Sequence, residues 1–336
     1  MRALQCVRPR ELALIERERP NPQAGEVLVR VRRVGVCGTD FHIFRGSQPY
    51  FAYPRVIGHE LSGEIAEAPD GSALKVGEPV YVIPYLSCGA CVACRRGKPN
   101  CCTRIGVLGV HVDGGMSDYV SVPERNVGSA KGLSIDQAAM VEFLAIGAHA
   151  ARRGEVSSGD RVLIVGAGPI GLGCAMFSSR RGASVVVLDR REDRLTLCRE
   201  RLKIDSAVEA GPGAAETLAQ LTGGEDFDVV FDATGDARSM ADSFGRVAHG
   251  GRYVLVGIVR EKIAFDDPEF HKREMSVLAS RNATQADFEE VVKAMREGAI
   301  PTEALATHRA PLDDAVTLFP FWMTPEAGVI KALIEI

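Results

Sequence analysis

A glycine-rich turn between an apolar strand and an apolar helix constrains the fold of this chain more than any other segment. Residues 161–165 (RVLIV) are apolar after the first position, as a strand buried on both faces of a parallel sheet requires. The turn GAGPIG at residues 166–171 follows directly and opens an apolar helix. Since strand, turn and helix in this order begin a βαβ unit, the sequence predicts a doubly wound α/β sheet.

The alternation of strands and helices continues beyond this turn. Further apolar strands are predicted at residues 184–188, 227–231 and 252–256. A series of βαβ units of this kind is typical of a Rossmann domain. We predict that this domain covers residues 146–277.

The glycines of the turn and the acid that follows match the chemistry of a dinucleotide site. Gly166 permits the tight turn, Gly168 lets the backbone approach a pyrophosphate at the helix N-terminus, and Gly171 allows close helix–strand packing. Asp189, about 20 residues further on, would accept hydrogen bonds from the adenosine ribose and repel a 2′-phosphate, which favours NAD over NADP. Arg190 and Arg191 oppose that preference, because an arginine at this place can accommodate the 2′-phosphate. The alternative interpretation is a strand–helix turn that binds no nucleotide. The predicted cofactor contacts are Gly166, Gly168, Pro169, Ile170, Gly171, Asp189 and Arg190.

The remainder of the chain predicts a β-rich domain. Residues 26–31 alternate at period two and residues 77–83 form a short strand after a glycine turn. A capping box at residues 134–137 opens a helix predicted to run through Ala151. From about Val277 the pattern predicts one amphipathic helix, at residues 287–297, and short strands. We therefore predict domain limits of 1–145 and 146–277, with 278–336 returning to the first domain.

Four cysteines predict a structural metal site in a lobe at about residues 86–104. Cys88, Cys91 and Cys94 are spaced by two residues, and Cys102 closes the loop. Four thiolates form a closed tetrahedral zinc site, which organises a loop too polar to pack by itself. Cys101 is an alternative fourth ligand, and a set of unrelated buried cysteines is the alternative to a metal site.

A second group of metal-binding side chains lies between residues 37 and 60. Cys37 and His59 supply sulfur and nitrogen, and Glu60 adds a carboxylate. Zinc prefers nitrogen and sulfur ligands, and a catalytic zinc site keeps one position open. These residues therefore predict a reactive metal centre.

Together these motifs resemble the medium-chain, zinc-dependent alcohol and polyol dehydrogenases. The resemblance spans the chain and is carried by GVCGTDFH at residues 35–42, GHE at 58–60, the four-cysteine lobe, DGGMSDY at 113–119 and the glycine turn. It implies a GroES-like β-rich catalytic domain, formed by both ends of the chain around a Rossmann domain. It also implies two zinc ions per chain, one catalytic and one structural.

The resemblance assigns roles at the reactive centre. Cys37 and His59 would be firm zinc ligands, while Glu60 and Glu142 would exchange places with water or substrate. Glu142 matches the family's glutamate near the end of the catalytic domain, but Phe143 replaces the proline that usually follows it.

Three further residues have roles that the same resemblance implies. Asp40 would orient His59 by accepting its other ring N–H. Thr39 would hydrogen-bond the substrate oxygen, and His42 would pass the proton on to bulk water. Zinc would stabilise the alkoxide of the substrate, whose hydride then passes to the nicotinamide.

Segments outside these motifs bear on the substrate. Residues 48–60, 106–115, 267–273 and 279–284 are similar to bacterial dehydrogenases of sugar acids and polyols, of the L-galactonate 5-dehydrogenase type. A sugar acid needs a cation for its carboxylate, and the candidates are Arg281, which we prefer, Arg55 and Lys272. His111 is a candidate for lining the pocket. Ordinary surface charge is the alternative for these cations.

Two other functions fit the same motifs. One is a zinc dehydrogenase of simple alcohols or of threonine. The other is a nucleotide-binding regulatory protein that has lost catalysis. Retention of Cys37, Thr39, His42 and His59 together argues against the second.

Composition limits the partners. The net charge of −4 gives no reason to expect nucleic acid or an anionic membrane. The charged N-terminal residues lack the apolar core of a signal peptide, and clustered cysteines in a reducing compartment indicate metal binding. We expect a cytoplasmic protein, and the family resemblance implies a homo-oligomer, either a tetramer or a dimer.

Overall fold

The computed structural model of the chain divides into two compact units. The first consists of Met1–Phe143 and Thr284–Ile336, and the second of Leu144–Ala283. The structure describes residues 1–204 and 206–336. The strands are β1 (Arg2–Arg8), β2 (Glu11–Glu16), β3 (Glu26–Val36), β4 (Arg55–Val56), β5 (Glu60–Glu67), β6 (Pro79–Val82), β7 (Tyr85–Leu86), β8 (Gly106–Val107), β9 (Tyr119–Pro123), β10 (Val127–Ser129), β11 (Arg161–Val165), β12 (Ser184–Asp189), β13 (Ser206–Glu209), β14 (Phe227–Asp232), β15 (Val247–Leu255), β16 (Ser276–Ala279), β17 (Ala306–Pro311) and β18 (Lys331–Glu335).

The helices vary from one to more than three turns. Within the described residues, no helix is long and apolar enough to cross a membrane. The helices are α1 (Gly38–Arg45), α2 (Val92–Arg95), α3 (Ile135–Ala139), α4 (Val141–Arg153), α5 (Pro169–Arg180), α6 (Glu192–Glu200), α7 (Ala214–Thr222), α8 (Ala237–Asp242), α9 (Asp267–Lys272), α10 (Gln285–Arg296), α11 (Thr302–Leu305) and α12 (Leu312–Trp322).

The second unit is built on a parallel sheet with strand order β13-β12-β11-β14-β15-β16. Every pairing along it is parallel, and in chain order the strands stand as 3-2-1-4-5-6, the doubly wound arrangement of dinucleotide-binding domains. Apolar residues of these strands, including Leu163, Val230 and Tyr253, form its buried core. The predicted α/β fold class is confirmed.

The first unit is mostly antiparallel. Its main sheet has the order β10-β6-β5-β3-β18-β17, with β9 also paired to β3. The last strand, β18, runs antiparallel to β3 and parallel to β17. The C-terminal segment therefore completes the interior of a sheet whose other strands lie near the N-terminus.

Two elements differ from the sequence prediction. The helix expected from residue 134 through Ala151 is broken at Met140, which has φ −93° and ψ −2° and separates α3 from α4. The capping box that opens α3 is present, since Ser134 and Gln137 exchange hydrogen bonds of 3.1 and 2.9 Å. The C-terminal segment also holds more than the one predicted amphipathic helix. Its additional long helix is α12, which buries Leu312, Ala315, Phe319 and Trp322 at helical spacing.

Gly171 is the glycine on which the turn between β11 and α5 depends most directly. A Cβ atom at this position would lie 1.8 Å from the carbonyl oxygen of Gly166. Backbone cannot move aside as a flexible side chain can, so only glycine permits this approach.

We expect Gly171→Ala to lower the free energy of unfolding by about 1–3 kcal/mol, because the added methyl group overpacks the turn. Chemical denaturation measures this change. Gly211→Ala is the matched control, since a Cβ at the exposed Gly211 meets nothing within 4 Å. Equal stability of the two variants would contradict the packing requirement at Gly171.

Candidate active site

Cys37, His59 and Glu60 converge at one end of the paired strands β3 and β5. Cys37 follows β3, while His59 and Glu60 stand at the start of β5, and Gly35 pairs with Glu60 across the two strands. One ligand atom from each of the three side chains lies within 4.8 Å of the others. A Cβ at Gly35 would lie 2.1 Å from Glu60 Oε2, so this glycine leaves room for the carboxylate.

Glu60 forms a buried ion pair that sequence analysis missed. Lys331 Nζ lies 2.6 and 2.7 Å from the two oxygens of Glu60 and donates to the carbonyl of Val36 at 3.1 Å. Both side chains are at most 1% exposed. Burial lowers the pKa of Lys331, but Glu60 and the other nearby acidic groups outweigh burial and raise it, so the lysine stays charged.

Phe143, which stands where the family has proline, contacts this ion pair. Lys331 Nζ lies 4.4 Å from the centre of the fully buried Phe143 ring, within the range of a cation–π interaction. The only sequence signal for this arrangement is a lysine at the start of the strand KALIE, whose next three residues are apolar.

Glu142 lies in the first turn of α4 and is 6% exposed. The Tyr85 hydroxyl donates a hydrogen bond to its Oε1 atom. Burial raises the pKa of Glu142 to about 7, while the charge of His59 lowers this pKa and that of Glu60 raises it. Glu142 is therefore within electrostatic reach of the Cys37–His59–Glu60 group, although it is not a member of that group.

Asp40 is held by the backbone on both sides of the site. It is fully buried, and its oxygens accept hydrogen bonds from the N–H groups of Cys37 at 2.9 Å and Gly58 at 3.2 Å. The distance from Asp40 Oδ1 to His59 Nδ1 is 3.9 Å, which is too long for the hydrogen bond expected from the sequence. Asp40 therefore fixes the backbone of Cys37 and of Gly58, and it acts on the His59 ring through its charge.

Thr39 and His42 lie on α1, next to Asp40. Thr39 is half-buried and His42 is exposed. The Nδ1 atom of His42 lies 3.0 Å from the Ser47 hydroxyl oxygen. One turn of helix thus leads from the metal-binding group to the surface.

The donor set fits a zinc ion. The Nδ1 atom of His59 is buried and has no hydrogen-bond partner among the described residues. Burial lowers the pKa of His59, but Cys37, Asp40 and Glu142 outweigh burial and raise it well above its usual value. Acidic groups thus surround the His59 imidazole, one nitrogen of which has no hydrogen-bond partner among the described residues. Together with the adjacent thiol and carboxylate, this imidazole provides the ligands that a zinc ion prefers.

The four-cysteine lobe brings its thiols together as the spacing predicts. The sulfur atoms of Cys88, Cys91, Cys94 and Cys102 all lie within 4.8 Å of one another. Cys102 is buried and belongs to the group, whereas Cys101 is exposed and lies outside it. Hydrogen bonds from backbone N–H groups lower the pKa of Cys91 to about 5 and that of Cys88 to about 7, which favours thiolates.

In the second unit, Asp189 is fixed against the glycine turn. Its Oδ2 accepts a hydrogen bond of 2.6 Å from the N–H of Ala167, and its Oδ1 one of 2.8 Å from the N–H of Arg191. Arg190, which the sequence predicts to oppose the preference for NAD over NADP, is exposed. The Arg191 guanidinium is held by Asp193 at 2.6 Å.

Arg194, which sequence analysis missed, is the arginine beside the turn. Its Nη1 donates to the carbonyl of Ala167 at 3.3 Å and lies 3.4 Å from the Cβ position of Gly168. Its Nε atom is buried and has no partner among the described residues. The signal was its place in the first turn of α6, the helix that follows Asp189.

Two of the predicted substrate residues lie near each other in the first unit. The Arg55 guanidinium donates to the carbonyl of Val110, next to His111, and lies 5.4 Å from the Phe51 ring centre. His111 stacks on Tyr50 with 5.9 Å between the ring centres. Arg281 and Lys272 are exposed residues of the second unit, and Lys272 pairs with Glu269.

Two family models match the chain. Residues 23–132 match the alcohol dehydrogenase GroES-like domain, and residues 169–297 match the zinc-binding dehydrogenase domain. The L-galactonate-5-dehydrogenase of Escherichia coli K12 is 45% identical over 93% of this chain and 92% of its own length. The chain belongs to the zinc-binding alcohol dehydrogenase family.

Solved structures agree with this family. An alcohol dehydrogenase (rspB) of E. coli CFT073, complexed with cofactor NADH, superimposes with a TM-score of 0.93 at 33% identity, covering 100% of this chain and 99% of that one. The L-idonate 5-dehydrogenase of E. coli K-12 gives a TM-score of 0.90 at 25% identity, covering 100% and 98%. This alcohol dehydrogenase therefore aligns along its whole length with known members.

We expect replacement of ligands in the two metal sites to have different effects. Cys37→Ala should lose turnover with little change in the free energy of unfolding, because it removes a reactive-site ligand. Cys91→Ala should mainly lower stability, because a closed metal site contributes directly to folding. Metal content and denaturant unfolding of each variant provide the measurement, and identical behaviour of the two would refute the assignment.

Loss of the Lys331 cation should be strongly destabilising. We expect Lys331→Met to lower the free energy of unfolding by about 3–5 kcal/mol, because Glu60 would stay buried without its partner. Adding Glu60→Gln should recover part of the loss. The exposed Lys293, which lies 3.9 Å from Glu297, provides the control Lys293→Met, expected to change stability by no more than about 1 kcal/mol. A similar loss in both single variants would contradict the importance of the buried pair.

Proposed function

We propose that this alcohol dehydrogenase transfers hydride from a secondary alcohol of a polyol or sugar acid, such as L-galactonate, to NAD, with zinc in both cysteine-containing sites. The observation that carries the proposal is the convergence of the half-buried Cys37 with the buried His59 and Glu60, in a chain that also has the dinucleotide turn. The relatives named for L-galactonate and L-idonate support the substrate class.

The chain's own residues would hold the metal and exclude water. A zinc ion bound there would lower the pKa of the substrate alcohol, as it does for bound water. Cys37, His59 and Glu60 would be its ligands, with Glu142 close by. Because His59 and Glu60 are almost completely buried, electrostatic interactions at this point are stronger than they would be in water.

The proton of the alcohol would leave along α1. The Thr39 hydroxyl would take up the proton of the alcohol as it passes its own proton on toward His42, and His42 would release a proton to solvent, since Thr39 is half-buried and His42 is exposed three residues later. Asp40 would hold the backbone of Cys37 and of Gly58 in register while the proton moves. General acid–base groups of this kind contribute typically about 10²–10⁴-fold to a rate.

The nucleotide preference depends on Asp189. Its carboxylate, fixed by two backbone N–H groups, would accept hydrogen bonds from a ribose and repel a 2′-phosphate. Arg194 would contact the diphosphate side of the turn, where it lies beside Gly168. The NADH bound to a related structure also supports NAD.

Arg55 and His111 are the proposed contacts for the polar groups of the substrate, and Arg281, the cation preferred from the sequence, stays a candidate as an exposed residue of the second unit. Arg55 would bind the carboxylate of a sugar acid, and His111 would contact a hydroxyl. Assembly as a homo-oligomer, a tetramer or a dimer, and a cytoplasmic location belong to the same proposal.

A substrate panel tests this function. We expect NADH formation to be faster with L-galactonate, L-idonate or sorbitol than with ethanol or L-threonine, and faster with NAD than with NADP. Steady-state kcat/KM at equal substrate concentrations gives the comparison. Preference for ethanol or L-threonine would overturn the proposed substrate class.

The variant Arg55→Met sharpens the test. Loss of a charged hydrogen bond is worth about 1.5–3 kcal/mol, so kcat/KM for the acid substrates should fall about 10–100-fold while that for uncharged sorbitol changes little. The exposed Lys293, which is not a candidate substrate contact, offers the control Lys293→Met. Equal losses on acid and polyol substrates would contradict a carboxylate contact at Arg55.

A further inference from the structure

Tyr85 is a buried residue that none of the roles above uses. It is 7% exposed, and its hydroxyl donates to Glu142 Oε1. We propose that Tyr85 is a positioning residue for the reactive metal site, which holds one oxygen of Glu142 and transmits to it the state of the four-cysteine lobe. The inference rests on the proposed metal sites but not on the identity of the substrate.

Three contacts hold the ring and the backbone of Tyr85 in place. Its ring packs edge-to-face on the buried Phe288, with 6.1 Å between the centres. Its carbonyl accepts a hydrogen bond of 3.0 Å from Asn126 Nδ2, and its backbone pairs with Val107. A side chain fixed in this way loses little further conformational entropy when it forms a hydrogen bond.

Glu142 needs such a partner. A buried carboxylate without a hydrogen-bond donor is unfavourable by several kcal/mol. Glu60 has the Lys331 cation on both oxygens, whereas the contact of Glu142 is with a neutral hydroxyl on one oxygen. The other oxygen of Glu142, Oε2, is therefore the one that would act at the metal. The hydrogen bond from Tyr85 to Oε1 would set the direction in which Oε2 points.

The helix break makes this contact more important. Phe143 replaces a proline and is committed to the Lys331 cation, so its ring does not aim the carboxylate. The chain turns instead at Met140, and Glu142 follows in the first turn of α4. Backbone geometry brings Glu142 to the site, and the Tyr85 hydroxyl selects its orientation.

The strand that carries Tyr85 also bounds the four-cysteine lobe. β7 ends at Leu86, just before Cys88, and β8 begins at Gly106, soon after Cys102. The lobe is thus the loop between two paired strands of only two residues each. A strand pair this short contributes little stability by itself, and a metal bound to the four thiolates would add to it by closing the connection.

The variant Tyr85→Phe tests the positioning role, because it removes the hydroxyl but keeps the ring on Phe288. The full-length enzyme would carry cobalt in the reactive site and zinc in the lobe. Tyr81→Phe is the matched control, since Tyr81 is also buried and stacks on Phe288, 5.9 Å away. The readouts are the visible cobalt spectrum and the rate of cobalt release to a chelator, with NADH affinity and unfolding measured alongside.

We expect Tyr85→Phe to shift the cobalt bands and to weaken cobalt binding about 10-fold or more, as loss of a hydrogen-bond partner of a ligand does. Tyr81→Phe should match the parent enzyme. NADH affinity should be equal in all three proteins. An unchanged spectrum and release rate in Tyr85→Phe, or equal changes in both variants, would overturn the positioning role.

The connection to the lobe has its own test. Cys91→Ser, which opens the four-cysteine site, should shift the reactive-site cobalt bands in the same way as Tyr85→Phe. The double variant should show no additional shift, because both changes act through the same hydrogen bond. Unchanged bands in Cys91→Ser, or additive shifts in the double variant, would overturn the connection. These readouts need no substrate, so a failed substrate panel leaves them valid.

Discussion

The buried ion pair between Lys331 and Glu60 is the interaction on which the reactive site depends. Removing two charges from water is unfavourable by several kcal/mol per ion, and a pair of well-packed apolar residues would often give equal stability. The pair is therefore poorly explained by stability alone. It is well explained if a carboxylate is needed beside Cys37 and His59, since the lysine places its cation on both oxygens of Glu60 in the sheet interior.

The two carboxylates near this point have different surroundings. Glu60 contacts a cation on both oxygens, and Gly35 leaves the space it occupies. Glu142 contacts a phenolic hydroxyl, and burial raises its pKa to about 7. Two glutamate side chains thus differ in their electrostatic surroundings, because their neighbours differ in charge. Glu60 is paired with a cation, while the pKa of Glu142 is raised by burial and responds to the charges around it.

Local patterns in the sequence predicted what depends on local structure. The strand Arg161–Val165 and the cysteine spacing were visible because period and spacing act over a few residues. The break at Met140 was not visible, because the alanine, methionine and glutamate residues around it are good helix formers. The helix α12 had a clear apolar period and was overlooked.

The contacts that complete the site are distant in sequence, which is why they were missed. Lys331 and Glu60 are 271 residues apart, and Tyr85 and Glu142 are 57 apart. No periodicity links such residues, and only the strand order brings them together. The hydrogen bond expected between Asp40 and His59 is absent from the described contacts. The Asp40 carboxylate instead accepts hydrogen bonds from the backbone N–H groups of Cys37 and Gly58, which the sequence pattern does not indicate.

The position of β18 between β3 and β17 has a consequence for biosynthesis. Chains emerge at about 5–20 residues per second, so the 271 residues from Glu60 to Lys331 take on the order of tens of seconds. All of Leu144–Ala283 is translated in that interval, and the parallel sheet has its complete sequence first. Until the last strand arrives, the nascent chain has the thiol, the imidazole and the carboxylate but not the cation. The Cys37–His59–Glu60 group therefore gains its cationic partner only after the whole of Leu144–Ala283 has been translated.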